Sequence, residues 1–385
     1  MQKNFFSDVE AHILKDERFL YPDYIPERLP FRDFQINEIV DALKPVLRGA
    51  KPHNLFLFGP TGTGKTVTAR FVLKELESYS SKAKGIYVNC FEFHTRNAVL
   101  NKLCISAGNP VPRRGLAADE LYSEFIQTIK TKKIIPIVVF DEADRLIKEK
   151  TSSQLLYDLL RVDEQHGPLH IGIILISNFP DVLSLLDQRV YSSLSAKSVE
   201  FQRYTPEQLK QILEDRAKNA FFENALEKDV INLAAAYGAK CNGDARVAIE
   251  VLLFAARLAE KENAKQVTIT HLKRAFENIK PRALQKAAPF LDEHEKKILK
   301  IVCEKGPIFS GELYKLYTLE VSDPQTERNF RDKVNRLAEL KLLNVKEIKE
   351  GIRGKTRQIS LAQPKEAVLK QLTNEGGFNN GKEKN

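Results

Sequence analysis

Asn54-Leu55-Phe56-Leu57-Phe58-Gly59-Pro60-Thr61-Gly62-Thr63-Gly64-Lys65-Thr66 decides the fold. Four consecutive apolar residues predict a strand buried on both faces. The next eight residues satisfy G-x-x-x-x-G-K-[ST] in full, and helical sequence follows to about Ser78. Strand, glycine-rich loop and helix start are the context this pattern requires. Its glycines let main-chain N–H groups curl round phosphate oxygens. Pro60, Thr61, Gly62, Thr63, Gly64, Lys65 and Thr66 are therefore nucleotide-binding candidates. Lys65 would bridge the β and γ phosphates, Thr66 would place its hydroxyl on Mg²⁺, and the helix N-terminus adds a favourable dipole. A glycine-rich turn without a ligand is the plain alternative.

Further on, an apolar run from Ile135 to Phe140 leads into Asp141-Glu142-Ala143-Asp144. A strand-end aspartate suits the hard Mg²⁺ ion, so Asp141 joins Thr66 as a metal candidate. Glu142 can polarise a water for attack on the γ phosphate. An ordinary acidic loop is the bland reading. Asn178 closes the next predicted strand, 171–178, where it orients a water, feels the γ phosphate or merely starts a turn before Pro180. Gly243-Asp244-Ala245-Arg246 opens a helix. Arg246 there either reaches the phosphates of its own chain or stays solvated beyond a capped helix start. If it reaches them, the γ phosphate biases the angle between two domains.

Strands predicted at 85–90, at 135–140, at 171–178 and over Lys197–Gln202 alternate with helical sequence. That is the pattern of a parallel α/β sheet covered on both faces. Residues 1–30, with YPDYIPERLP, read as an extended lead-in, and a helix is expected from about Asp33 to Leu47. Residues 1–203 are thus an α/β nucleotide-binding domain. Thr205-Pro206-Glu207 caps the first helix of an all-helical lid over 204–285. Helices near 293–303, 310–321 and 325–340, then strand, glycine turn and strand, describe a winged helix-turn-helix over 286–362. Residues 363–385 are a polar tail.

The chain has 385 residues and a net charge of +9, which permits a nucleic-acid partner without demanding one. No run of about 18 apolar residues suggests a membrane span. The N-terminus has no apolar signal stretch, so a cytoplasmic, nucleoid-associated protein is expected. Cys90, Cys104, Cys241 and Cys303 are widely spaced, with no zinc-type pair.

In a helix-turn-helix the second helix enters the major groove. Here that is 325–340. Phe330, Val334, Leu337 and Leu340 recur at core spacing, and Arg328, Arg331, Lys333 and Arg336 remain for the DNA face, though not all can point one way. The hairpin tip 351–357 carries Arg353, Lys355 and Arg357 among glycines and no acid. It reads as a wing laid along phosphates, with Arg353 able to enter the minor groove. Solvated basic segments are the alternative for both. Arg113 and Arg114 sit in a Pro-bounded basic loop that is a second possible DNA contact.

These motifs, in this order, resemble the AAA+ ATPases. Leu29-Pro30-Phe31-Arg32-Asp33-Phe34-Gln35, the 91–116 insert, Leu186–Leu194, GDAR at 243–246 and Gly311-Glu312-Leu313-Tyr314 narrow the resemblance to the archaeal Orc1/Cdc6 replication initiators. It spans roughly 10 to 362, with Phe31 where a histidine is more familiar. The resemblance implies binding of ATP or ADP with Mg²⁺, recognition of double-stranded origin DNA, recruitment of the MCM helicase and a second initiator paralogue at a neighbouring site. It implies that Asn178 is sensor 1, Arg246 sensor 2, and the 91–116 element a DNA contact. Relatives often read R-x-x-S-R where this chain has Arg189 and then Ser193. Arg189 is either a finger for a neighbouring subunit or a brace of its own domain. A weak finger suits a slowly hydrolysing switch rather than a motor. Two other functions remain open: a STAND-like ATPase in transcription or recombination whose winged helix binds promoters or proteins, and a processive ring motor.

Overall fold

The computed structural model describes residues 12–112, 115–148, 150–279, 291–340, 342–348, 356–362, 365 and 368. Arg113, Arg114, Arg353 and Lys355 lie outside them. The chain divides into two compact units, 1–269 and 270–385.

The first unit runs α1 (Asp33–Leu43), β1 (Leu55–Phe58), α2 (Lys65–Tyr79), β2 (Ala83–Asn89), α3 (Arg96–Ser106), α4 (Ala118–Lys132), β3 (Ile135–Asp141), α5 (Ala143–Lys148), α6 (Lys150–Leu160), α7 (Val162–His166), β4 (Gly172–Ser177), α8 (Gln188–Leu194), β5 (Lys197–Glu200), α9 (Pro206–Ala220), α10 (Val230–Lys240) and α11 (Ala245–Lys261). The five strands form a parallel sheet in the order β2-β3-β4-β1-β5. Alternate residues of each strand enter opposite cores. Phe56, Val138, Phe140, Ile173 and Leu175 pack with α3, α4 and α6. Leu55, Leu57, Ile137, Val139, Ile174 and Ile176 pack with α1 and α2. Two covered faces explain why these strands are continuous apolar runs.

The expected first helix stops at Leu43 and tightens into a 3-10 turn over Lys44–Arg48. Pro45 has no N–H to continue the α-helical ladder and disfavours α geometry before it. The lead-in is firmly placed where it is described. Ile13 and Leu20 are fully buried. The Leu14 N–H donates to Glu260 Oε1 at 3.0 Å, and the Lys15 N–H to the Ala220 carbonyl at 2.8 Å. The segment straps across α9 and α11.

The second unit contains α12 (Ile269–Ile279), α13 (Glu293–Lys305), β6 (Ile308–Phe309), α14 (Ser310–Glu320), α15 (Glu327–Glu339), β7 (Leu343–Ile348) and β8 (Thr356–Leu361). Its antiparallel strands take the order β6-β8-β7. Ile298, Val302, Leu313, Tyr317, Phe330, Val334, Leu337 and Ile359 form its core. The Tyr317 hydroxyl bonds His294 Nδ1 at 2.8 Å and accepts from the Gln325 N–H at 3.1 Å, fixing the turn between α14 and α15.

Candidate nucleotide site

The site lies where β1, β3 and β4 end. Parallel strands bring these ends to one edge, the usual place for a ligand in an open α/β sheet. Gly59 has φ +144°, and a Cβ there would lie 2.2 Å from the Phe201 carbonyl oxygen. Gly62 has φ +75°, and a Cβ would meet Asp244 Oδ1 at 1.8 Å. The loop therefore tolerates no side chain at either position. Thr63 is buried and donates to the Pro60 carbonyl at 2.8 Å, while Thr61 is half-buried and Gly64 caps α2.

Lys65 is 7 % exposed. Its Nζ donates to the Gly59 and Pro60 carbonyls at 2.8 Å and to Asn178 Oδ1 at 3.0 Å. Asn178 Nδ2 in turn donates to Glu142 Oε2 at 3.1 Å. The Thr66 hydroxyl donates to Asp141 Oδ2 at 2.7 Å, and so does the Tyr87 hydroxyl. Glu142 adopts φ +55°, which is strained for a side chain of this kind. That backbone lets its N–H donate to Asp141 Oδ1 at 3.0 Å while its carboxylate faces Asn178. Strained positions held by a hydrogen-bonded frame cluster at active sites.

Burial pulls Lys65 down to about 8, against the upward pull of Glu142 and Asp141. Burial, then the nearby Asp141, pushes the Glu142 carboxyl above the usual carboxylate range. The buried ammonium spends its donors on neutral oxygens and lacks full counter-charge. Phosphate oxygens would supply it, so the residues present fit a nucleotide. Thr66 and Asp141 are hard oxygen donors within hydrogen-bond reach of each other, suited to Mg²⁺.

The helical part of the unit reaches the same loop. The Ala245 N–H donates to the Gly62 carbonyl at 3.2 Å. Asp244 accepts from the Arg246 N–H at 2.9 Å, and Arg246 Nε lies 3.5 Å from Asp244 Oδ1. Arg246 thus stands at the N-terminus of α11, beside the phosphate loop. Arg189 is placed differently. Its side chain is 79 % exposed, pairs with Asp187 at 3.1 Å and lies 5.9 Å from the Tyr157 ring.

Sequence reasoning missed Tyr87, Asp244 and Arg32. Tyr87 and Asp244 sat inside recognised segments, without a pattern of their own. Arg32 is 4 % exposed. Its guanidinium donates to the Thr63 and Gln202 carbonyls, each at 2.9 Å, and lies 3.9 Å from the Tyr204 ring centroid. It ties the phosphate loop to the link between β5 and α9.

A family model of the Cdc6 AAA+ ATPase-type lid domain matches residues 210–277, and an AAA domain matches 50–183. The ORC1-type DNA replication protein 1 of Sulfurisphaera tokodaii is 35 % identical over 373 residues, covering 94 % of each chain. This chain belongs to the ORC1-type DNA replication proteins. A Thermococcus kodakarensis member is 38 % identical over 367 residues, 91 % of this chain and 88 % of its own. Among solved structures, the Aeropyrum pernix ORC1 protein in complex with DNA superposes with a TM-score of 0.75 at 33 % identity, covering 95 % of this chain and 98 % of its own. The Aeropyrum pernix ORC2 protein in its ADPNP-ADP complexes shares the fold, with a TM-score of 0.71 at 24 % identity and coverage of 94 % and 98 %. This ORC1-type chain therefore has an AAA+ P-loop core with a lid and is a nucleotide-binding replication protein.

The second unit of this ORC1-type protein sorts its basic residues into two sets. Arg328 and Arg331 on α15 are exposed, Arg331 pairing with Glu327 at 2.5 Å. Lys333 instead pairs with Asp292, and Arg336 lies 2.9 Å from the fully buried Glu295. Both therefore face α13. Arg357 donates to Asn335 Oδ1 at 3.2 Å.

Proposed function

We propose that this protein recognises replication origins under nucleotide control. The observation that carries the reading is whole-length kinship with ORC1-type replication proteins, one of them solved on DNA. In this reading the second unit is a winged helix whose α15 enters the major groove of duplex origin DNA. Arg328 and Arg331 then contact the DNA, with Arg353, Lys355 and Arg357 on the wing; Lys333 and Arg336 mainly hold α15 on α13. Arg113 and Arg114, which fall between α3 and α4 in the sequence, form a second contact. The DNA-bound protein helps recruit the MCM helicase, next to a second initiator paralogue at a neighbouring site. No described helix is long and apolar enough to cross a membrane, and we place the protein in the cytoplasm with the nucleoid.

Pro60 to Thr66 hold the phosphates of ATP or ADP, and Thr66 and Asp141 hold Mg²⁺, which neutralises phosphate charge when bound. Asn178 fixes the Glu142 carboxylate, whose raised proton affinity suits it to take a proton from water. Arg246 senses the phosphates from the lid. Arg189, paired with Asp187, braces its own domain in this reading, and hydrolysis is slow, as suits a switch rather than a motor.

DNase footprinting across the candidate origins of the source genome, with ATP and with ADP and excess competitor DNA, tests the reading. A discrete protected site that weakens in Arg353→Ala and Arg328→Ala is expected. Uniform binding that competitor removes, beside rapid ATP turnover, would sink it.

A further inference from the structure

Beside the nucleotide site, the same sheet edge carries a row of rings and cations that nucleotide binding does not use. β2, β3 and β4 are neighbours. Phe91 and Phe93 follow β2, and Phe179 follows β4. Arg145 and Lys148 lie between them on α5, three residues apart and so on one helix face. The Arg145 guanidinium lies 5.4 Å from the Phe91 ring centroid, Lys148 Nζ 5.7 Å from that of Phe179, and Lys102 Nζ of α3 5.6 Å from that of Phe93.

Phe91 is 68 % exposed and Phe179 53 %. Rings held this far into water, each beside a cation, are not core. Two acids of the same turn point inward instead: Glu142 bonds Asn178, and the buried Asp144 accepts from the Ser177 hydroxyl at 3.1 Å. Arg145 and Lys148 are both exposed, as are Glu92 next to Phe91 and Asp181 two residues past Phe179. The Phe179 N–H donates to Ser177 Oγ at 3.1 Å, which fixes the backbone under that ring.

We propose that this row binds single-stranded DNA. Unpaired bases stack on Phe91 and Phe179, while Arg145 and Lys148 meet the phosphates. Aromatic faces joined to a basic track are the chemistry of single-strand binding, because every base offers a π face. The two outer rings follow strands two spacings apart, on the order of 10 Å. That distance accommodates about two bases stacked between the rings at roughly 3.4 Å per step. A duplex covers its base faces with neighbouring pairs, so the rings select an opened strand. The proposal takes DNA as the nucleic acid from the origin-recognition reading. Phe179 adjoins Asn178, so a bound strand touches the loop that holds Glu142.

The test titrates full-length protein into a thymidine-rich single strand containing one 2-aminopurine, with ADP and Mg²⁺ present. A duplex of the same length is run in parallel. Wild type should quench the 2-aminopurine as the base stacks. Phe91→Leu and Phe179→Leu should each weaken single-strand binding about tenfold and lose most of the quench. Phe91→Trp should keep both, Phe179→Leu should keep wild-type duplex affinity, and all variants should keep ADP binding. An unquenched strand, or equal quenching in the double leucine variant, overturns the proposal, and a protein-docking role would then be the better use of the rings. Absence of a discrete protected site in the origin footprint would instead sink origin recognition, which separates the two failures.

Discussion

Lys65 shows how a binding site can be built at a cost to the empty protein. Its ammonium is buried among carbonyls, and its pKa sits near 8 instead of the ordinary lysine value. A phosphate group placed on it restores the charge balance and raises the pKa again. Below about pH 8 the lysine is protonated with or without nucleotide, so no proton moves on binding. Above it the free protein has lost the proton and the complex regains it. Binding should therefore take up close to one proton at about pH 9, and affinity should fall roughly tenfold per pH unit there. The empty protein follows the opposite slope. Its unfolded chain binds the extra proton between about pH 8 and 10.5, so this group adds stability as pH rises through that window. Calorimetry of ADP binding in two buffers of different ionisation enthalpy, at about pH 7 and about pH 9, measures the uptake. No uptake at the higher pH would mean that Lys65 does not meet the phosphates.

Two kinds of basic residue share α15, and they should fail differently. Arg336 lies beside Glu295, whose side chain is fully buried, whereas Arg328 is exposed. Removing the partner of a buried carboxylate is strongly destabilising, and the half-exposed arginine moderates the effect to about 1–3 kcal/mol. Arg328→Ala should change stability by less than about 0.5 kcal/mol and lower the salt dependence of duplex binding by about one phosphate contact. Thermal unfolding beside a salt titration of duplex affinity separates them. An Arg336→Ala protein as stable as wild type would show that the ion pair does not hold α15 in place. Sequence periodicity found this helix and its apolar stripe, because Phe330, Val334 and Leu337 repeat at the helical period. It could not divide the cations, since the partners Asp292 and Glu295 belong to another helix. The same limit applies in the first unit. The strands were legible as apolar runs and the phosphate loop as a motif, but the left-handed Glu142 carries no local signal, because glutamate rarely takes that geometry.

At the scale of the whole chain, the least legible feature is the one that joins separate segments. Arg32 donates to carbonyls 31 and 170 residues away. No local pattern records such contacts. The residue before it, Phe31, is held at φ +63°, and its carbonyl accepts a third bond from the same guanidinium at 2.9 Å. The lead-in strap reaches this point after crossing α9 and α11, with Glu17 paired to Arg257 at 3.0 Å. One planar fork therefore sets the phosphate loop, the turn into α1 and the link into the lid against one another. Arg32→Ala would leave the Thr63 and Gln202 carbonyls without their donors, at a cost of about 2–4 kcal/mol. Arg32→Lys keeps the charge but not the fork, so it should recover only part of the loss. The stronger expectation concerns linkage. Wild-type protein should gain about 2.7 kcal/mol of stability from ADP at about 100 times its Kd. If the fork holds the loop ready for phosphate, Arg32→Ala should gain less than wild type at the same ADP concentration, because its affinity falls. Thermal unfolding of the three proteins with and without ADP and Mg²⁺ reads both effects. A variant that is less stable but gains the full nucleotide increment would make Arg32 a structural brace alone, and the path from phosphate loop to lid would then run through Gly62 and Ala245.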